Sequence, residues 1–571
     1  MSAGRYWRSL PQRSGSELAF GFGIRWSFPM YFHLELDGAS VNTGYPSHRR
    51  MSLAAGALVV ATSLLVSCSA SPDGGSGSAA TTFTVAGSDP ANLTPGNTWA
   101  WNEEMLIFTP PMAVGEDGVP VPAAAESVTS EDQKVWTFKL REGWTFHNGE
   151  PVTAQSYVDS WNATALGSNG WLQNYNFVNI EGYADLNPAE GDPTATELSG
   201  LEIVSDTEFT VTLTEPSGLF PYSVTSFAFA PMPKAAFEDP EGYDKAPIGN
   251  GPYAIVGSYS PNEPIVLERF EEYQGEAGQS DEIVFSPYQS MDTAFNDLLA
   301  GNVDVVYPVP TDRLADVDQR VDGRTAVAKI PSLSYFGFPT WDQRFADRRV
   351  REAFSMAIDR EALTSTILKG SGVPAKSLAE SSTFGGVDNT CAACEFDPDG
   401  AKALLESAGG WSGPLTLWAY QYGNNDQILQ AVANQLRNNL GIEDITFQID
   451  PFAKFTETIG AQAADGPFFA GWGAYYPHIE AMLDPFGSPT GAANESGFSN
   501  DEFNTLMNTG RALPLEEGLP YFQEAESLFW EEMTVMPLYF GKYTVAWSEK
   551  IESVPVGFAG LGSLAAVEVV E

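Results

Sequence analysis

The chain has 571 residues, with 29 Lys and Arg against 74 Asp and Glu and a formal charge of −45 at neutral pH. An acidic excess of this size excludes nucleic acid as a partner, because a phosphate backbone would be repelled rather than neutralised. The acids are spread along the chain rather than clustered, which points to solubility in a salt-rich habitat ahead of a preference for cationic ligands.

In chain order, residues 1–48 are aromatic-rich, poorly periodic and form no recognisable module, where a secretory signal should have a short basic start. A misassigned upstream start is expected, with Val41 as an alternative initiation position. Arg49 and Arg50 then precede Met51 to Ser67, a run of 17 residues without a charge, short for a membrane span and read as a cleaved signal in preference to a signal anchor. Leu65-Val66-Ser67-Cys68 resembles the lipobox of bacterial lipoproteins, which implies acylation of Cys68 as the new N-terminus. The Gly, Ser and Ala of residues 69–80 supply no surface to bury and read as a tether. Removing residues 1–67 leaves 23 basic against 71 acidic residues, a charge of −48.

The remainder exceeds one ordinary core, so two or three lobes are expected. Alternation predicts strands over Val135–Leu140 and Phe209–Leu213. Gly143 and Gly149 bracket a turn in which His147 is read as a hydrogen-bonded scaffold residue, and Gly249, Gly251 and Pro252 bend the chain before a strand over Tyr253–Val256. "SMDTAFNDLLAG" predicts a helix with Ala294, Phe295, Leu298 and Leu299 inward and Gly301 as its cap, followed by the strand "VDVVYPV". Val350, Ala353, Phe354, Ala357 and Ile358 share one face of a helix over "DRRVREAFSMAIDREALTSTIL". Cys391 and Cys394 stand in a loop before Asp397-Pro398, the N-cap and first position of the next helix; after export they are expected to form a structural disulfide, although a redox role uses the same spacing. The class is mixed α/β.

Catalytic signatures are missing: the sequence has no His-Glu-x-x-His, Gly-x-Ser-x-Gly or P-loop, and only His147 and His478 follow the linker. No enzyme activity, cofactor or metal is expected, since two histidines and an oxidised cysteine pair make a poor ligand set.

"LREGWTFHNGEPVTAQSYVDSWN", "APIGNGPYAIV", "VREAFSMAIDREAL", "DPDGAKALLESAG" and "GWGAYYPHIEAML" follow one another in an order that resembles the family 5 extracellular solute-binding proteins, the oligopeptide- and dipeptide-binding group of ABC importers. The resemblance implies a two-lobed clamshell of the periplasmic-binding-protein type with an inserted third subdomain. Lobe I would comprise residues 83–99, 198–330 and 536–571, the insertion 100–197 and lobe II 331–535, after a lipidated and flexible 68–82. It also implies a peptide or other small solute in the cleft, permease subunits with cytoplasmic ATPases as partners, lipid attachment to the extracytoplasmic membrane face, and a monomer. A saccharide, a metal complex, or sensing without transport remain open alternatives.

By position in these motifs the ligand contacts would be Trp472, Gly473, Tyr475 and Tyr476, then Tyr539 and Phe540 at the second crossover, and Trp99, Trp101 and Asn102 ahead of the insertion. Two departures stand out. Tyr475 occupies the place where peptide binders of this family carry an Asp that takes the ligand's ammonium group, leaving Glu103, Glu480 or Asp484 as possible substitutes. Ser156 replaces a frequent Asp at a helix start, where it can still cap.

Overall fold

The computed structural model describes residues 80–189, 191–558 and 560–570; the leader, Cys68 and nearly all of the tether lie outside the described residues. Its backbone is one sheet of 11 strands that runs through both lobes, ten in a continuous order and an eleventh, Gly372–Pro374, paired off that order with Val535–Trp547. On the lobe I side the order is Tyr253–Ile255, Ile265–Arg269, Glu282–Pro287, Thr82–Gly87 and Val305–Val306. Two strands of 13 residues, Thr325–Gly337 and Val535–Trp547, then lead to Phe468–Gly473, Leu415–Tyr420 and Ile445–Asp450 of lobe II.

These two long strands pair with each other on both sides of a break. Lys329 faces Lys542 and Leu333 faces Phe540, so Ile330, Pro331 and Ser332 oppose the single Gly541. Pro331 has no N–H to give to a ladder, and a Cβ on Gly541 would lie 2.5 Å from the Ser332 hydroxyl. The bulge therefore falls where the sheet passes from one lobe to the other.

Period-two alternation covers both faces of lobe II. Tyr335 packs with Phe486, Phe522 and Phe529, while its neighbour Phe336 packs with Phe354, Leu429 and Val432 on the opposite side. Lobe I has its own core around Phe83, Ile107, Tyr253, Leu267 and Ile283.

The insertion is a four-stranded antiparallel sheet, Ala125–Thr129, Val135–Leu140, Glu208–Thr212 and Leu201–Ser205 in that order, covered by the helix Ala154–Ala165. Trp161, fully buried, meets Phe138, Phe209 and Phe229 with ring centroids 5.0–5.6 Å apart. The boundaries expected from motif order need correction here. Residues 198–229 supply two strands and the core groups Phe209, Phe220 and Phe229 to the insertion, whereas the helix Trp101–Ile107 buries Leu106 and Ile107 in lobe I.

Local chemistry explains the other differences. The long helix predicted from Asp347 is two, Arg348–Met356 and Arg360–Thr366, because the Asp359 side chain accepts from Ala362 N at 2.9 Å and caps the second. Arg360 is 2 % exposed and donates to the carbonyls of Pro537 and Cys394, which fixes the bend. Leu299 is 40 % exposed, so the inward face of Met291–Ala300 is Ala294, Phe295 and Leu298, with Gly301 at φ 77° ending the helix. Only Val305–Val306 of "VDVVYPV" is a strand. Thr153 is the N-cap of Ala154–Ala165, and Ser156, three residues on, accepts from Thr153 N to close a capping box. Asp397 caps the helix beginning at Pro398, and beside it Cys391 and Cys394 form a disulfide with Cα atoms 5.4 Å apart. Closing so short a ring contributes about 2 kcal/mol on the chain-entropy account.

Candidate ligand-binding site

The strand Phe468–Gly473 runs along the first crossing strand until Gly473 faces Ser332, and Ala474 N then donates to Pro331 O at 2.8 Å. The sequence 474–479 thus leaves the sheet at the passage between the lobes. Trp472 is half-buried and its indole N–H donates to Ala481 O at 3.1 Å, which holds the ring against the first turn of the helix Glu480–Gly487. The Tyr475 ring lies 5.8 Å from Trp472 and 6.2 Å from Tyr175, a residue of the inserted subdomain. Lobe II and the insertion meet at that point through two aromatic rings. Burial pushes the Tyr475 hydroxyl up to about 12, so at neutral pH it is an uncharged phenol.

Tyr476 turns the other way. Its ring stacks on Tyr222 at 5.2 Å, and its hydroxyl donates to Glu480 Oε2. Glu480 also receives Arg511 Nε at 2.6 Å, and Arg511 Nη2 bonds Asp484. Burial opposes the Arg511 charge, but the two carboxylates outweigh it and raise the guanidinium pKa. Glu480 and Asp484 are therefore committed to Arg511. Glu103 is 4 % exposed on the lobe I helix and is pushed up to about 7 by burial.

The remaining residues read from the motifs are less close together. Ser334 lies between Gly471 on one side and Tyr539 on the other, and it bonds the Tyr539 hydroxyl, which burial pushes up to about 12. Phe540, 3 % exposed, packs among Leu333, Val535 and their neighbours in the lobe II core. Trp101 meets Phe227 at 5.4 Å, with Trp99 and Asn102 half-buried beside it on the lobe I side.

Both histidines among the described residues are held in the scaffold. His147 Nδ1 accepts from Gly249 N at 3.2 Å and Nε2 lies 3.1 Å from Gly251 O; burial pushes the ring down to about 4. His478 is fully buried among Tyr222, Phe384 and Phe522, its Nδ1 accepts from Glu480 N at 3.0 Å, and burial pushes it down to about 3. Among the described residues no group of three or more His, Cys, Asp or Glu is placed to hold a metal ion, and no helix is long and apolar enough to cross a membrane.

Sequence reasoning missed Tyr175, Tyr222 and Arg511. Tyr175 stands in the polar stretch "LQNYNF", where no periodicity marks it, and Arg511 lies 31 residues beyond Glu480 in a separate helix, Asp501–Arg511.

Residues 119–494 match the family described as bacterial extracellular solute-binding proteins, family 5 Middle. The periplasmic murein peptide-binding protein MppA of Escherichia coli is 26 % identical over 474 residues, covering 79 % of this chain and 86 % of that protein. The periplasmic oligopeptide-binding protein OppA of Salmonella typhimurium is 26 % identical over 449 residues, covering 74 % and 80 %. Among solved structures, the unliganded open form of MppA superposes with a TM-score of 0.77 at 23 % identity, over 86 % of this chain and 98 % of that one. Haemophilus influenzae OppA in complex with RPPGFSPFR gives 0.66 at 21 % identity, over 86 % and 99 %. With two lobes on one crossed sheet, an inserted subdomain and a family profile spanning most of its length, this chain belongs to the bacterial extracellular solute-binding proteins of family 5.

Proposed function

We propose that this protein binds peptides or peptide-like solutes between its lobes, on the extracytoplasmic face of the membrane to which acylated Cys68 ties it, and delivers them to the permease subunits of an ABC importer. It acts as a binder without turnover. The observation that carries this reading is the meeting of Tyr475 with Tyr175 at the lobe passage, in a chain whose named relatives bind peptides. Aromatic rings at such a passage supply contact area with few rotors to freeze, and they accept many side chains. Native mass spectrometry of ligand carried through purification, followed by its identification after denaturation, is the direct test. A peptide is expected; a saccharide or metal complex in its place would overturn the peptide assignment.

Of the three carboxylates that could stand in for the missing Asp, Glu103 is 4 % exposed on the lobe I helix, so we expect the amino end of the ligand to be met without a free carboxylate from the loop 474–484. Tyr475 is neutral, and Glu480 and Asp484 are engaged by Arg511. Acetylating a bound peptide's amino group should therefore cost less than about 1.4 kcal/mol, a factor of ten, whereas breaking a buried charged pair costs about 2–5 kcal/mol. Calorimetry on matched free and acetylated peptides checks this. A preference for the free amine well above tenfold would show that another carboxylate receives it.

Attachment is tested separately. Cys68→Ser should leave the leader uncleaved by the lipoprotein peptidase or release the protein from the membrane fraction. Unchanged processing and fractionation would remove the lipid from the proposal.

A further inference from the structure

The one-turn helix Phe220–Ser223 of the insertion stands between two cores. Phe220 packs into the insertion, with Phe138 and Phe229, while Leu219 and Tyr222 pack with Ile479, Phe522 and Trp530 of lobe II. Just before it, Gly218 N donates to Arg511 O at 2.7 Å, and a Cβ on Gly218 would lie 1.9 Å from the Leu513 carbonyl oxygen. Glycine is needed there for close approach of two backbones. The Tyr222 ring, 1 % exposed, stacks on Tyr476, and its hydroxyl donates at 2.9 Å to Gly118 O, in a turn that itself lies against Pro477.

These contacts close on themselves. Gly218 bonds Arg511, Arg511 pairs with Glu480, Glu480 accepts from Tyr476, and Tyr476 stacks on Tyr222, four residues along the chain from Gly218. The sheet supports the chain as far as Ala474, through its bond to Pro331. Beyond that point Phe384 N donates to Pro477 O and Ile479 N donates to Phe384 O, each at 2.9 Å, while Tyr476 itself meets Tyr222 of the insertion and Glu480 of the Arg511 cluster.

We propose that Tyr222 is a positioning residue for the ligand-facing loop: by stacking on Tyr476, with Gly218 joined to Arg511, the inserted subdomain sets where Trp472 and Tyr475 stand, and so tunes affinity for every ligand alike without touching any of them. This rests on the reading that Trp472 and Tyr475 face the solute. It assigns to the insertion a part in binding that acts on lobe II.

The experiment compares wild type, Tyr222→Ala and Tyr222→Phe in two measurements. In the ligand-free protein, hydrogen exchange at the amides of His478, Ile479 and Glu480, which donate to Tyr476 O, Phe384 O and His478 Nδ1, should quicken about tenfold in Tyr222→Ala, with protection in the central sheet unchanged. Tyr222→Phe keeps the stack and should match wild type. Calorimetry with trialanine, trileucine and their acetylated forms should show affinities weakened about tenfold in Tyr222→Ala with their ranking preserved. Unchanged loop exchange in Tyr222→Ala would overturn the proposal, as would a loss confined to one peptide, since that would make Tyr222 a ligand contact. Should the alanine variant fail to fold, Tyr222→Leu retains the apolar bulk and is read in the same way. If wild type binds none of these peptides, the peptide reading fails, while the exchange measurement still decides the positioning role.

Discussion

Arg511→Met is expected to destabilise the protein by about 3 kcal/mol, because it leaves the Glu480 carboxylate buried without its partner. Glu480 has a side chain only 6 % exposed, and its remaining partner through Oε2 is the Tyr476 hydroxyl, which supplies one hydrogen bond and no charge. Asp484 is 39 % exposed and can turn to water, so the loss falls chiefly on Glu480. The Arg511 side chain is itself 25 % exposed, which places the estimate at the low end for a buried pair. Adding Glu480→Gln to the variant should recover most of the loss, since an amide accepts the Tyr476 hydroxyl without a charge to bury. Urea unfolding of wild type, single and double variants checks both steps. A single variant within about 0.5 kcal/mol of wild type would mean that water already satisfies Glu480.

The second large effect is acid sensitivity through His478. Burial holds its folded-state value at about 3, against about 6.5 in an unfolded chain. Below pH 6.5 the unfolded state takes up a proton that the native ring refuses, so this contribution is whole above pH 6.5 and is lost as pH falls, by about 1.4 kcal/mol per unit. Geometry gives the same sign, since Nδ1 already accepts from Glu480 N and a protonated ring would set two donors against each other. His147, pushed down to about 4, adds to the effect, whereas Glu103, pushed up to about 7, favours the native state at low pH. Comparing wild type with His478→Gln cancels these other groups. The variant should be less stable at pH 7, having lost a packed ring, and the gap should shrink by about 1.4 kcal/mol for each unit between pH 6 and 4.5. Urea midpoints across that range measure it, and a gap independent of pH would show that the native ring is protonated.

What could be read from sequence was short-range. The Gly301 cap, the Asp397-Pro398 helix start and the glycine turns beside His147 lie within four residues of the groups they satisfy, so the local order of residues predicts them. Motif order added the lobes and placed Trp472, Tyr475 and Tyr476 together, because those three share one stretch of chain. Alternation in Phe209–Leu213 showed a strand but not its partner, and the boundary of the insertion moved because Phe209 pairs with Phe138, 71 residues earlier. The helix predicted from Asp347 broke at Asp359 because a buried Arg360 found carbonyls on other elements, an attraction that no period records. Tyr175 reaches Tyr475 across 300 residues, and Arg511 reaches Glu480 from another helix. Spacing along the chain determines which groups can cap, turn or alternate; which buried charge meets its counterpart, and which rings close on one another, is decided only when distant segments pack and exclude water.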